Sequence, residues 1–568
     1  MKKNTKRVLG FVLSIALGVL AAVGLDLAGR QAVQASLPAA VSRTGLRLEL
    51  YSADGQEELH LWEDAAGTLH AFLPGWAQPG QIMVCALEPG QRFSVDGVGF
   101  RDSGFYDLTP GGHTVQFRDG NSKQLIVHQG APDMASLFVQ TDSGSIEYVH
   151  AQKGNEEGGS YQLFDPVTGS RWAGRMELRG RSNSNWSDAE KRSYRLKLEE
   201  AADLFGMGRA RRWVLMPNGK DPSGLRNHIV YELARDVGMN YVTETRFVEL
   251  YLNGEYRGVY QLCEKVEVGP DRVDIRDLQK EMDALNPGLD FDQLPKQLRG
   301  YWGEPFTGMF CDVPGQPEDL TGGYLLEMDL DVRYGGEPSG FISKNLQHVV
   351  VAAPKYATGE QVDYIRILYQ RMEDAVWSES GLDPITLQPF SDFMDMTSFA
   401  QKFLVEEIVK NYESRSSSQF LYKPDDSVST KLHIGPVWDY DFALCSGRDD
   451  GIEEVSAMLR EPEGFYLPPT DFLLGKLYQH QEFRDAVIGE YYDHFLPEIR
   501  TLIDWKLADY AEQLLPSAMM DAVRWDLWPQ AGTDAERENA YLEEVDVIRR
   551  FLDQRTAWLC EQWPEPLA

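Results

Sequence analysis

Residues 431–444 read KLHIGPVWDYDFAL, a short apolar strand running into a turn that presents Asp439 and Asp441 on either side of Tyr440. In extended backbone, residues two apart share a face, so both carboxylates are expected to enter one site. A lone Asp-x-Asp reads on its own as a solvated turn. Here Pro436, Val437 and Trp438 precede the pair, and Phe442, Ala443 and Leu444 follow it. Carboxylates in such an apolar frame need a cation or hydrogen-bonding partners. Hard oxygen ligands of this kind suit Mg²⁺ or Mn²⁺, which take one or two protein carboxylates together with phosphate oxygens.

The surrounding chain is a folded protein by composition. Its 568 residues are 43% hydrophobic and 11% aromatic, enough for several cores. A formal net charge of −33 argues against a nucleic-acid partner, which would have to be met by a basic surface. Cys85, Cys263, Cys311, Cys445 and Cys560 are widely spaced, which excludes a zinc knuckle and gives no disulfide framework. At the N-terminus, Lys2, Lys3, Lys6 and Arg7 precede an apolar run over 8–25, and Ala35 stands before Ser36. Residues 1–35 therefore read as a signal peptide or a signal anchor, and either one exports the remainder.

Residues 44–130 alternate apolar and polar positions between turn signals, which predicts a small all-β module of immunoglobulin-like sandwich type with no catalytic constellation. From residue 134 the pattern is mixed. Strands are expected at 176–181 (MELRGR) and 193–198 (SYRLKL), crowded by Arg175, Arg179, Arg181, Lys191, Arg192, Arg195 and Lys197. That reversal of sign in an acidic chain fits a phosphate cradle or a salt-bridged hairpin. Asp221-Pro222 has the form of a helix start, with Asp at the N-cap and Pro in the first turn. Asn253-Gly254 predicts a tight hairpin, and residues 279–320, rich in Pro, Gly and Asp, read as an insertion looped out of the core. Helices are expected over 358–378, over 392–411 and through most of 472–560.

Five of these segments, in order, resemble the CotH family, spore-coat protein H and its relatives. They are MELRGRSNSNW…KRSYRLKL, FGMGRARRWVLMPNGKDPSGLRNHIVYELARDVGM, RFVELYLNGEYRGVYQLCEKVEVGPDRVDI, GGYLLEMD and HIGPVWDYDFAL. The resemblance covers more than half of the chain and leaves the N-terminal β module outside. It implies an α+β architecture over 134–568, an atypical protein-kinase-like fold, that transfers the γ-phosphoryl of ATP to Ser or Thr of secreted, surface or spore-coat proteins. Such chemistry requires a metal on the phosphates, cationic clamps and a group that orients the hydroxyl.

The family pattern makes Asp439 the metal-binding aspartate, with Asp441 a second ligand for Mg²⁺ or Mn²⁺. Its catalytic aspartate stands in an Asn-x-Asp motif, where this chain has Asn411-Tyr412-Glu413. Glu413 is then the catalytic carboxylate, its oxygens displaced by one methylene. Arg179, Lys191, Arg192 and Lys197 are the expected ATP-phosphate clamps, and spacing does not choose among them. The departure at Glu413 leaves a pseudokinase or surface binding protein as the alternative, and metal-dependent hydrolysis ranks below both. The −33 charge and the resemblance together predict a basic, Ser-rich protein substrate, with a membrane tether if residues 1–35 are retained.

Overall fold

A computed structural model describes residues 45–52, 55–182, 186, 190–329, 331–415, 417–446, 460–467 and 472–565. The N-terminal 1–35 segment lies outside them. Among the described residues, no helix is long and apolar enough to cross a membrane. The chain divides into two compact units, Met1–Phe72 with Ala77–His128, and Leu73–Trp76 with Gln129–Ala568.

The first unit holds two antiparallel sheets of four and six strands. In Leu46–Ser52 the apolar Leu46, Leu48 and Leu50 are buried along with Glu49, and in Gly111–Phe117 the buried set alternates as His113, Val115 and Phe117.

The second unit opens with a closed seven-stranded barrel. Its order is Ala135–Thr141, Glu156–Phe164, Arg171–Gly180, Tyr194–Asp203, Arg209–Met216, Glu255–Glu264 and Thr245–Leu252, which closes parallel to the first strand. Met176, Leu178, Tyr194, Leu196 and Leu198 fill the inside. The alternate positions Arg179, Arg195 and Lys197 therefore lie outside, with Arg179 directly opposite Arg195. Asn253 and Gly254 both have left-handed backbone (φ 51° and 80°), the geometry of a two-residue hairpin turn.

A seven-stranded sheet follows, in the order Lys296–Tyr301, Glu304–Cys311, Gly340–Ile342, His348–Ala353, Tyr324–Asp329, Gln419–Lys423 and His433–Ile434. Its first two strands correct the expectation that 279–320 loops out. This stretch contains helix Leu278–Leu285 and a hairpin on the edge of the sheet, and Met282, Cys311 and Val313 form a small core of their own. Helices Gly359–Trp377 and Met396–Val409 and the C-terminal helices, ending with Asp534–Gln562, bury their apolar faces in one large core. All five cysteines are free thiols.

The helix expected from Asp221 begins at Arg226 and runs to Asp236. Gly224 is left-handed (φ 69°), which stops the helix from starting earlier. The Asp221 carboxylate instead accepts from the Ser223 hydroxyl (2.6 Å) and the Arg226 amide (2.8 Å) and pairs with the Arg226 guanidinium.

One buried acid carries a pH prediction. Glu249 on strand Thr245–Leu252 accepts from the Ser517 hydroxyl at 2.7 Å, and its second oxygen has no partner. Burial pushes its carboxyl up to about 8. The position of this carboxyl also explains Gly130, where a Cβ would fall 1.7 Å from the Glu249 Oε1. A folded pKa above the unfolded value means that the native state binds the extra proton. Stability is then greatest at acid pH and declines as pH rises from the unfolded carboxyl range towards 8. Glu249→Gln should cancel this decline, gaining roughly 3–5 kcal/mol relative to wild type between pH 5 and pH 8.5. Urea melts at both pH values measure it, and an equal gap at each pH would refute the assignment.

Candidate active site

The strand leading to the Asp-x-Asp turn is only His433–Ile434, paired with Tyr422 and Leu421. Beyond it the backbone is irregular, and Asp439 is left-handed with φ 69°. The expectation that Asp439 and Asp441 share one face of an extended strand is therefore corrected. A side chain other than glycine in this region stores roughly 1–3 kcal/mol of strain unless its surroundings fix it.

Those surroundings come from two helices. The Tyr440 hydroxyl points inward, donating to Glu406 (2.7 Å) and accepting from Lys402 (2.8 Å), all fully buried. The Tyr440 amide donates to Asn227 Oδ1 at 2.7 Å, and the Asp439 amide to the Tyr231 hydroxyl at 3.3 Å. Arg226, held by Asp221, donates from Nε to the carbonyls of Ala443 (3.0 Å) and Leu444 (3.3 Å). With Tyr440 drawn into the core, the two aspartates are fixed on either side of it. His228, on the same helix, is structural: it packs between Phe247 and Tyr510, and burial pushes it down to about 4.

Glu413 enters from the other direction. Helix Met396–Val409 ends at left-handed Lys410, and a short 3₁₀ turn, Tyr412–Arg415, follows. Asn411, with no exposed surface, spans the gap: its Oδ1 accepts from the Glu413 amide (3.2 Å) and its Nδ2 reaches the Asp439 carbonyl (3.5 Å). Burial, then Asp439, then Asp441, push the Glu413 carboxyl up to about 9. Asp439 is also raised by burial, with Arg181 and the hydrogen bond from Glu413 opposing. Burial thus raises both carboxyls, and the negative charge of Asp439 raises Glu413 further.

Two guanidiniums act on this dyad. Arg181 lies over the Trp438 ring at 5.4 Å and lowers Asp439, while Arg333 pairs with Asp329 at 2.6 Å and lowers Glu413. The ammonium of Lys153 is lowered by burial, then by Arg333, Arg181 and Arg179. Burial and then Asp329 push Glu327 up to about 7.

The structure therefore brings Glu413, Asp439 and Asp441 together. Among the four sequence-predicted clamps, only Arg179 reaches this field, through Lys153; it also lies 4.0 Å from Glu156. Lys197 is on the outer barrel face with Glu177 at 2.5 Å. Lys191 is buried, bound to Asp521 (2.8 Å) and the Val259 carbonyl (2.7 Å). Arg192 stacks over Trp186 at 4.8 Å and donates to the His150 carbonyl at 3.0 Å. The cations that sequence reading left aside are Lys153, Arg181 and Arg333. Arg181 stood in the basic crowd of MELRGR, but Lys153 and Arg333 are 28 and 152 residues from it in sequence and carry no local signal.

The donor set fits a divalent cation with phosphate. Two buried carboxyls in electrostatic contact are a place where a cation relieves repulsion, and the flanking guanidiniums suit phosphate oxygens. Among the described residues, no group of three or more His, Cys, Asp or Glu side chains is arranged to hold a metal by itself. A cavity of about 640 Å³ has a wall that includes Glu264, which ends its barrel strand, Lys265 to Glu267, Arg272 and Pro436; Glu413, Asp439 and Asp441 do not line it.

Compared with known proteins, residues 176–559 match the family profile described as CotH kinase protein. No curated protein matches the chain. With two thirds of its length matched, from the barrel strands through the carboxylate dyad to the last helix, the chain belongs to the CotH kinase protein family.

Proposed function

We propose that this chain is an exported phosphotransferase that moves the γ-phosphoryl group of ATP onto a Ser or Thr hydroxyl of a secreted, surface or spore-coat protein. The observation that carries the reading is the convergence of Glu413, Asp439 and Asp441, with Arg181 and Arg333 acting on the first two and Lys153 within the field of both guanidiniums. Asp439 and Asp441 would hold Mg²⁺ or Mn²⁺, which supplies charge neutralisation at the transferring phosphate. Arg181, Arg333 and Lys153 would pair with phosphate oxygens. Glu413 would accept the hydrogen bond, and then the proton, of the acceptor hydroxyl. Burial first, and Asp439 second, raise the Glu413 carboxyl, and a cation beside Asp439 would offset the second of these. A net charge of −33 favours a basic acceptor through long-range steering.

The Glu413–Asp439 hydrogen bond also supports a second reading, a nucleotide-binding protein without turnover, because it closes the dyad on itself. Incubation with ATP and Mg²⁺ or Mn²⁺, followed by intact-mass analysis of the chain and of a basic Ser-rich acceptor peptide, separates the two. Phosphate on either one, abolished by EDTA, is expected. A melting temperature raised by ATP and metal with no phosphate transferred would favour the second reading. No response of any kind would overturn both.

A further inference from the structure

Lys410, the last residue before the Asn411–Glu413 turn, is almost fully buried, with a left-handed backbone of φ 48°. Its ammonium leaves its own helix and donates to the carbonyls of Glu461 and, at 3.0 Å, Glu463. One helical turn earlier, the Glu407 carboxylate accepts from the amides of Tyr466 (2.6 Å) and Leu467 (2.8 Å). Arg555, on the C-terminal helix Asp534–Gln562, donates to the carbonyls of Pro462 (2.9 Å) and Gly464 (2.8 Å) and pairs with Glu407. Three buried charges thus bind six backbone groups of residues 460–467, a stretch whose described backbone forms no strand and no continuous helix. Tyr466 and Leu467 are buried, and buried backbone without a ladder must find such partners. A cap on the preceding helix needs only its own last carbonyls, so the reach of Lys410 into 460–467 calls for a different explanation.

We propose that residues 460–467 form a clasp by which Lys410, backed by Glu407 and Arg555, fixes the Asn411–Glu413 turn against the Asp439 loop. Lys410 is then a positioning residue, and the C-terminal helix helps determine where the Glu413 carboxyl stands, through side chains 142 residues further along the chain in the case of Arg555. The turn itself is short, with 3.2 Å bonds from the Glu413 amide to the Asn411 side chain, from the Ser414 amide to the Asn411 carbonyl and from the Ser417 amide to the Glu413 carbonyl. Asn411 Nδ2 reaches the Asp439 carbonyl at 3.5 Å. The Leu444 amide, bonded to the Val409 carbonyl at 2.8 Å, joins the same junction to the Asp-x-Asp loop. Anchorage on both sides of Lys410 is what keeps so short a turn in one place. The catalytic consequence rests on the phosphotransfer reading; the mechanical coupling does not.

Hydrogen exchange with mass spectrometry on the full chain tests the coupling directly, using Lys410→Met and, from the far end, Arg555→Lys. Both variants should exchange at least tenfold faster over 411–415 as well as over 460–467, with 324–329 unchanged. Lys410→Arg, which keeps the charge and the donors, should restore wild-type rates over 411–415. Loosening confined to 460–467 in either variant would overturn the proposal, and Arg555→Lys retains a charge at the site should Lys410→Met fail to fold. In the phosphotransfer assay, Lys410→Met should lower kcat by about 10- to 100-fold with KM for ATP within twofold, because the displaced group acts on the hydroxyl and not on the nucleotide. A loosened turn with unchanged kcat would also refute it. A wild-type chain without phosphotransfer would remove the functional reading, while the exchange data would still decide the clasp.

Discussion

Asp439→Asn is expected to lower phosphotransfer by on the order of 10³-fold while leaving the melting temperature unchanged or slightly higher. Asparagine keeps the shape of the side chain and tolerates the left-handed backbone (φ 69°) found here, so the change removes charge and little else. The charge is costly to the metal-free fold: burial raises the Asp439 carboxyl and its presence raises that of Glu413. Groups arranged for catalysis commonly oppose stability in this way. Activity is read from steady-state phosphotransfer, and stability from thermal melts with and without Mn²⁺ and ATP. The metal-dependent stabilisation of wild type should disappear in the variant. Retention of both activity and metal response would place the metal elsewhere.

The largest loss of stability should follow Arg226→Met, about 3–5 kcal/mol. Arg226 has no exposed surface and is paired with an Asp221 that is likewise buried, so removing the guanidinium leaves a carboxylate without compensation in the core. It also strips hydrogen bonds from the carbonyls of Ala443 and Leu444, directly behind the Asp-x-Asp turn. Activity should therefore fall further than stability alone accounts for. Asp221→Asn in the same chain removes the stranded charge and should restore part of the stability but none of the activity, a double-mutant cycle that separates the two roles. If the single variant melted within about 1 kcal/mol of wild type, the pair would not be the keystone of this loop.

Helix Arg226–Asp236 also marks the boundary between what was legible locally and what was not. The alternating residues of MELRGR and SYRLKL, the Asn253-Gly254 hairpin and the apolar stripe of Met396–Val409 determine their own conformations, because strand and helix periodicity act over a few residues. Motif order also sufficed for the family, now shown over 176–559. The start of helix Arg226–Asp236 was misread because Asp221 has a partner five residues on that overrides its capping propensity.

The carboxylates Glu413, Asp439 and Asp441 could be nominated from sequence, since each stands in a short motif. The cations facing them could not. Lys153, Arg181 and Arg333 come from a turn before one barrel strand, the end of another and a short helix after a strand of the second sheet. Lys191 and Arg192 carry the same charge in a more suggestive motif, yet they are turned towards Asp521 and Trp186. Charge and residue type are properties of the sequence. Which face of the barrel a cation occupies, and which acid reaches it first, depends on strand closure and on a helix more than 300 residues away, and only the tertiary structure decides that.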